Sequence, residues 1–225
     1  MVLATHPCVL LAQQSPAPND SAASWDNQLF VGTRAAYATG TWRLSGEFQA
    51  RFKNNWRALD NWFVEGVATY NPVKNWEFAS DFRVSVKATR IEYRPGLGVI
   101  FKALATKWQF VHQLKYQADI ASTGQVGHGV RQVVFVNHIA TPKLVPNVAA
   151  GWFYRWREGF SGVEFVRFGG GLTIIFDPVH TLTLQYFVGA FNRGNRWTWS
   201  GIPLLQLTIN VRSDWKYVPA KLINF

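Results

Sequence analysis

The sequence predicts an all-β protein: an antiparallel up-and-down transmembrane β-barrel of about twelve strands, with ten as the alternative count. Three observations carry that prediction. Strict polar/apolar alternation recurs in segment after segment, the segments are longer than ordinary strands, and aromatic residues are abundant with no helical periodicity between the segments. Residues 41–53 show the pattern best. Trp42, Leu44, Gly46, Phe48, Ala50 and Phe52 are apolar or small, whereas Arg43, Ser45, Glu47, Gln49, Arg51 and Lys53 are polar. A period of two puts the sets on opposite faces of a strand. At about 3.3 Å per residue such a segment extends roughly 43 Å, enough to cross a hydrocarbon core at a tilt of about 40°.

The elements follow in order from residue 25. Candidate strands are 26–38, 41–53, 61–71, 75–86, 92–103, 107–119, 129–138, 146–156, 164–176, 181–192 and 202–212, with a weaker twelfth over 215–225. In 75–86, Trp76, Phe78, Phe82 and Val84 oppose Glu77, Asp81, Arg83 and Ser85. In 92–103, Tyr93, Leu97, Val99 and Phe101 oppose Glu92, Arg94 and Lys102. In 202–212, Leu205, Leu207, Ile209 and Val211 oppose Gln206, Thr208, Asn210 and Arg212. The twelfth carries Trp215, Tyr217, Ile223 and Phe225 on one parity, with Pro219 breaking its ladder unless it sits at a bulge. Connections at 39–40, 72–74, 104–106 and 177–180 read as tight turns, and those at 54–60, 87–91, 120–128, 157–163 and 193–201 as longer loops. Short turns on one side and long loops on the other is the layout of an outer-membrane meander.

Composition narrows the function classes. No apolar run approaches the eighteen residues of a membrane-spanning helix. Eleven Trp, seventeen Phe and seven Tyr fit the aromatic girdles of a membrane barrel. The formal charge is +10, but the basic residues are dispersed over successive segments, so a nucleic-acid partner is not expected. Outer-membrane lipid and small anionic solutes are the expected partners. Cys8 is the single cysteine, which rules out an intrachain disulfide. Residues 1–24 resemble the later part of a secretory signal, with Val9-Leu10-Leu11-Ala12 as a short apolar region, followed by a flexible leader rich in Pro, Ser, Ala and Asn. The domain organisation is therefore 1–24 as signal-like segment and leader, and 25–225 as barrel.

The polar faces supply the candidate site. Arg43, Glu47, Arg51, Glu77, Asp81, Arg83, Arg94, Lys115, Arg155 and Arg167 are expected to line one lumen. Charges in a barrel interior must be hydrated or paired. Both signs are present, so two readings stand: an internal salt-bridge network that plugs the barrel, or a narrow anion-preferring pore.

No catalytic residue, metal site or cofactor is expected. A rim hydrolase needs a base within reach of a nucleophile, commonly His and Ser two apart on one face. His138 is followed by Ile139-Ala140, and His112 shares parity with Trp108, Phe110 and Tyr116. His128, on a long loop in this reading, is free but without an evident partner. Gly169-Gly170-Gly171 lacks the lysine of a phosphate loop and reads as a bend, a bulge or a close approach.

Several short motifs resemble one family. They are Trp42 after a tight turn with the run Glu47-Phe48-Gln49-Ala50-Arg51-Phe52, then Asn75-Trp76-Glu77-Phe78, and then the run from Trp108-Gln109-Phe110 through His112 to Gln117. Together they resemble domain of unknown function 2490, a family of bacterial envelope proteins, from Trp25 to about Arg212. The resemblance implies a Gram-negative outer-membrane β-barrel with no established activity, and no site residue carries over. The expected function is a narrow pore for small anionic solutes or a structural envelope protein. An outer-membrane lipid hydrolase and a soluble lipocalin-like ligand-binding barrel are the alternatives.

Overall fold

The computed structural model describes residues 25–192, 194 and 196–213, with 212 and 213 described by backbone alone. The signal-like segment 1–24 and the weak strand 215–225 lie outside the described residues. Twelve β-elements follow one another: β1 (Trp25–Asn27), β2 (Leu29–Thr39), β3 (Trp42–Lys53), β4 (Ala58–Val73), β5 (Trp76–Lys87), β6 (Ile91–Ala105), β7 (Trp108–Ala121), β8 (Val126–His138), β9 (Leu144–Arg157), β10 (Phe160–Ile175), β11 (His180–Asn192) and β12 (Trp197–Ser213). Each strand from β2 to β12 pairs antiparallel with the next, and β12 pairs back with β2. The sheet is thus closed, which removes the unpaired edges an open sheet would present.

The closing pair is parallel. Leu204 lies opposite Phe30 and Ile209 opposite Ala35, and β1 continues the same register with Trp25 opposite Trp199. β1 and β2 therefore form one wall, interrupted at Gln28, and the twelve elements make a barrel of eleven walls. Parity forces the parallel seam: with an odd number of walls the antiparallel steps between them are even in number, so the last wall runs in the direction of the first. The expected antiparallel up-and-down barrel of about twelve strands is thus what is found, with one parallel pair at its closure.

The connections also differ from expectation. They run from two residues, as at 40–41, to five at 139–143, and the predicted division into a short-turn side and a long-loop side is absent. Residues read as loop, such as 58–60 and 126–128, continue the strands instead. Side-chain polarity stops alternating there while backbone pairing persists, for example Ile120 with Val126 and Phe52 with Leu59. Below, the turn end is the one carrying 40–41, 74–75 and 106–107. The mouth is the other.

The two faces are inverted relative to a soluble barrel. Trp42, Leu44, Phe48, Phe78, Phe82, Leu97, Leu114, Phe168 and Tyr186 stand on the exterior, each at least 41% exposed. The interior holds nearly every charge on the strands, together with an apolar cluster that includes Ile100, Val111, Val133, Phe135, Phe153, Phe187 and Ile202.

Candidate functional site

The alternation of each strand turns its polar set inward. All ten expected lumen residues face the interior: Arg43, Glu47, Glu77, Asp81, Arg83, Lys115 and Arg167 are buried, and Arg51, Arg94 and Arg155 are half-buried. They do not form one continuous channel. They divide into ion pairs inside the packed half and a basic chamber at the mouth.

Near the turn end, Lys102 pairs with Glu77, and Arg43 stands 4.0 Å from the same carboxylate. Toward the middle, Nε of Arg34 donates to Glu47 over 2.9 Å, and Arg83 pairs with Glu65 at 3.3 Å. Lys115 bonds Asp81 at 2.6 Å and stands 3.6 Å from Glu65. Each of these carboxylates has a cation beside it, which offsets the large cost of removing both ions from water.

Apolar packing fills the interior in the same half. Ile100, Val111 and Val133 are at most 1% exposed, and Val67, Ala79, Phe135, Ala149 and Leu204 join them in one contiguous cluster. The remaining walls contribute the buried Ala38, Arg43, Thr173 and Thr183. Every wall therefore closes on the interior with a side chain that water scarcely touches.

At the mouth the interior opens into a chamber of about 1160 Å³. Nine basic and five acidic side chains line it. Asp119 is clamped between Arg94 and Arg155, with Arg155 at 2.7 Å, and Glu164 stands 3.1 Å from Arg155. Glu92 takes Lys87 and Arg90, each at 2.7 Å, and Asp60 takes Lys53 at 2.9 Å. Phenylalanine rings fix the deeper guanidinium groups. Arg83 lies 3.8 Å from the centre of Phe63, and Arg51 lies 4.4 Å from that of Phe30. Arg167 lies 4.4 Å from the ring centre of Phe165, 5.0 Å from Phe191 and 5.7 Å from Phe30. Such ring contacts stabilise a cation but do not cancel its charge.

Parity left several chamber residues unassigned. Arg131 shares its face with Gly129, Val133 and Phe135, while the opposite face of β8 is Val130, Gln132, Val134 and Val136. Neither set is polar, so the strand alone gives no orientation. Its pairing with Lys115 across β7 and β8 supplies one. Asp119 and Glu164 stood at the ends of expected strands, where the alternation has too few residues to read.

The described strand histidines point elsewhere. His128 lies within β8, not on a loop, and its Nδ1 is 2.8 Å from the Tyr116 hydroxyl on the outer face, with Trp156 stacked beside it. His112 lies 3.0 Å from the Gln132 side chain, and His138 packs 4.4 Å from the Trp108 ring. No histidine lines the chamber among the described residues. The glycine run is a close approach: a Cβ at Gly169 would stand 2.1 Å from the Tyr186 carbonyl oxygen, and one at Gly171 2.1 Å from that of Leu184.

Comparison with known proteins adds one match. The model of a family described as protein of unknown function (DUF2490) covers residues 25–200. No curated protein matches the chain.

Proposed function

We propose that this chain, which belongs to the DUF2490 family of proteins of unknown function, is an integral outer-membrane barrel with a sealed interior, serving the envelope as a structural component and not as a conducting pore. The carrying observation is the inverted distribution of polarity. Large apolar side chains ring the outside and paired charges fill the inside. Water is a poor solvent for such an exterior, since soluble monomers rarely expose contiguous apolar patches beyond a few hundred Å². A bilayer removes that cost.

Dimensions agree with this reading. Exterior aromatics form two bands, with Trp42 against Tyr70 and Trp76 against Phe101 toward the turn end, and Tyr116, Tyr154 and Trp156 grouped toward the mouth. Trp108 and Tyr116 on β7 are eight residues apart. That spacing is about 26 Å along the strand, or about 20 Å along the axis at a tilt of about 40°. Girdles flanking an apolar band of about 25 Å are what a membrane barrel presents to its two interfaces.

The sealed half argues against passage of solutes, and the outward histidines give no support to a rim hydrolase. The test is partition and folding. Expressed with an export signal, the chain should fractionate with outer membranes and resist extraction by salt or carbonate. It should also refold into detergent micelles or vesicles, with unheated samples migrating faster on gels than boiled ones. A folded monomer that remains soluble without detergent overturns the assignment.

A further inference from the structure

The chamber at the mouth holds more positive charge than its own carboxylates neutralise, and two of its arginines are placed as binding groups. Arg167 is 5% exposed and Arg131 is 4% exposed. Neither has a carboxylate within salt-bridge reach among the described residues. Arg131 donates from Nη2 to the Gln117 amide oxygen at 3.1 Å, and Arg167 packs against phenylalanine rings, with Glu164 the nearby carboxylate beyond salt-bridge distance. The Nε of each has no hydrogen-bond partner there. Both side chains line the chamber, so these cations are buried in protein yet face an open space.

An uncompensated buried guanidinium is expensive, and evolution or folding usually disposes of it by pairing. Here the opposite has been built. Phe165, Phe191 and Phe30 surround the Arg167 guanidinium, Arg51 packs on the same Phe30 ring, and Arg131 and Arg155 both pack on Phe153 at 5.5 and 5.0 Å, so the cations crowd one space. Mutual repulsion makes the cluster less favourable empty than with an anion in it. Planar guanidinium forks match the two oxygens of a carboxylate or the oxygens of a phosphate. Six phenylalanines also line the chamber, which supplies an apolar wall for the body of such a ligand.

We infer that the chamber is a blind binding site for an amphipathic oxyanion, a molecule carrying a phosphate or carboxylate group on an apolar body, with Arg167 and Arg131 gripping the anionic group. The inference rests on the sealed-barrel reading only in that the site has one opening. Its chemistry does not depend on the membrane assignment. A lipid phosphate and a free organic phosphate share this chemistry, and the experiment separates them.

The full chain, refolded in neutral detergent, is titrated with phenyl phosphate by calorimetry, with inorganic phosphate and phenol as companion probes. Saturable binding of one phenyl phosphate per chain is expected, with inorganic phosphate weaker and phenol inert. Arg167→Gln and Arg131→Gln should each weaken phenyl phosphate at least tenfold, while Arg167→Lys retains part of the affinity. Far-ultraviolet dichroism and gel migration confirm that each variant is folded, and Arg43→Gln, at the turn end, serves as a folded control expected to bind normally. In a second arm the chain is placed in nanodiscs of zwitterionic lipid with or without short-chain phosphatidic acid. Displacement of phenyl phosphate by phosphatidic acid identifies a lipid headgroup as the occupant, and its absence identifies a free solute. Failure of phenyl phosphate to saturate, or unchanged affinity in folded Arg167→Gln and Arg131→Gln, overturns the inference. Neither result bears on whether the barrel partitions into membranes.

Discussion

Lys115 on β7 reaches Asp81 on β5 across an intervening strand, and it does so because Gly96 on β6 carries no side chain. A Cβ at Gly96 would stand 2.6 Å from Cε of Lys115 and 2.8 Å from Oδ1 of Asp81, so the ion pair occupies the space a side chain would fill. Gly96→Ala should therefore push the ammonium and carboxylate apart and cost about 1–3 kcal/mol, as overpacking of a fitted interior does. The pair itself has an asymmetric energetics, since its side chains are 4% and 0% exposed. Asp81→Asn leaves the Lys115 charge short of a partner and should cost about 3–5 kcal/mol. Replacing both, as Asp81→Leu with Lys115→Met, should return stability to within about 1 kcal/mol of the parent, because neither member of the pair is then left charged without the other and Glu65 keeps Arg83. Urea unfolding in lipid vesicles, followed by tryptophan fluorescence, measures all three. A double variant no more stable than Asp81→Asn would mean that Lys115 and Asp81 do not compensate each other.

The strands were legible in the sequence wherever one face was polar and the other apolar, and least legible where both faces shared a character. β3 and β5 alternate cleanly, and their Arg43, Glu47, Glu77, Asp81 and Arg83 lie inside as expected. β8 is apolar on both faces, so Arg131 was oriented only once its neighbours were known. Inward phenylalanines such as Phe63, Phe153 and Phe165 could not be foreseen from a rule that sends apolar residues outward; they are inside because arginines pack on them. The parallel seam was hidden for a different reason, since alternation fixes which face a residue takes but not which way its partner runs. That seam yields a prediction of its own. Thr33 of β2 lies opposite Leu207 of β12. Directly opposed residues sit within the separation a disulfide spans. The double variant Thr33→Cys with Leu207→Cys should oxidise to an intramolecular crosslink visible as a gel-mobility shift. Crosslinking of Thr33→Cys with Val211→Cys but not with Leu207→Cys would place the register elsewhere.

At the scale of the whole molecule, the interior is asymmetric along its axis: packed at one end and hollow and basic at the other. A barrel of eleven walls is well below the sixteen to eighteen strands that leave an aqueous channel, so its interior is narrow enough for side chains to fill. What decides between filling and conduction is therefore the size of a few inward residues, not the strand number. Ile100, Val111, Val133 and Phe135 come from three consecutive walls and close the passage beneath the chamber. The parent protein in a planar bilayer should show no unitary conductance in molar potassium chloride. Trimming Ile100, Val133 and Phe135 together to Ala removes the bulk of that closure, and the variant should either conduct or lose several kcal/mol of stability as the walls relax into the void. Conduction should be anion-selective, because any ion that enters passes the arginines of the chamber first, and reversing Arg51 and Arg83 to Glu should shift the reversal potential toward cation preference. A parent protein that already conducts would show that the packed half opens in the membrane, and the sealed reading would then give way to the pore.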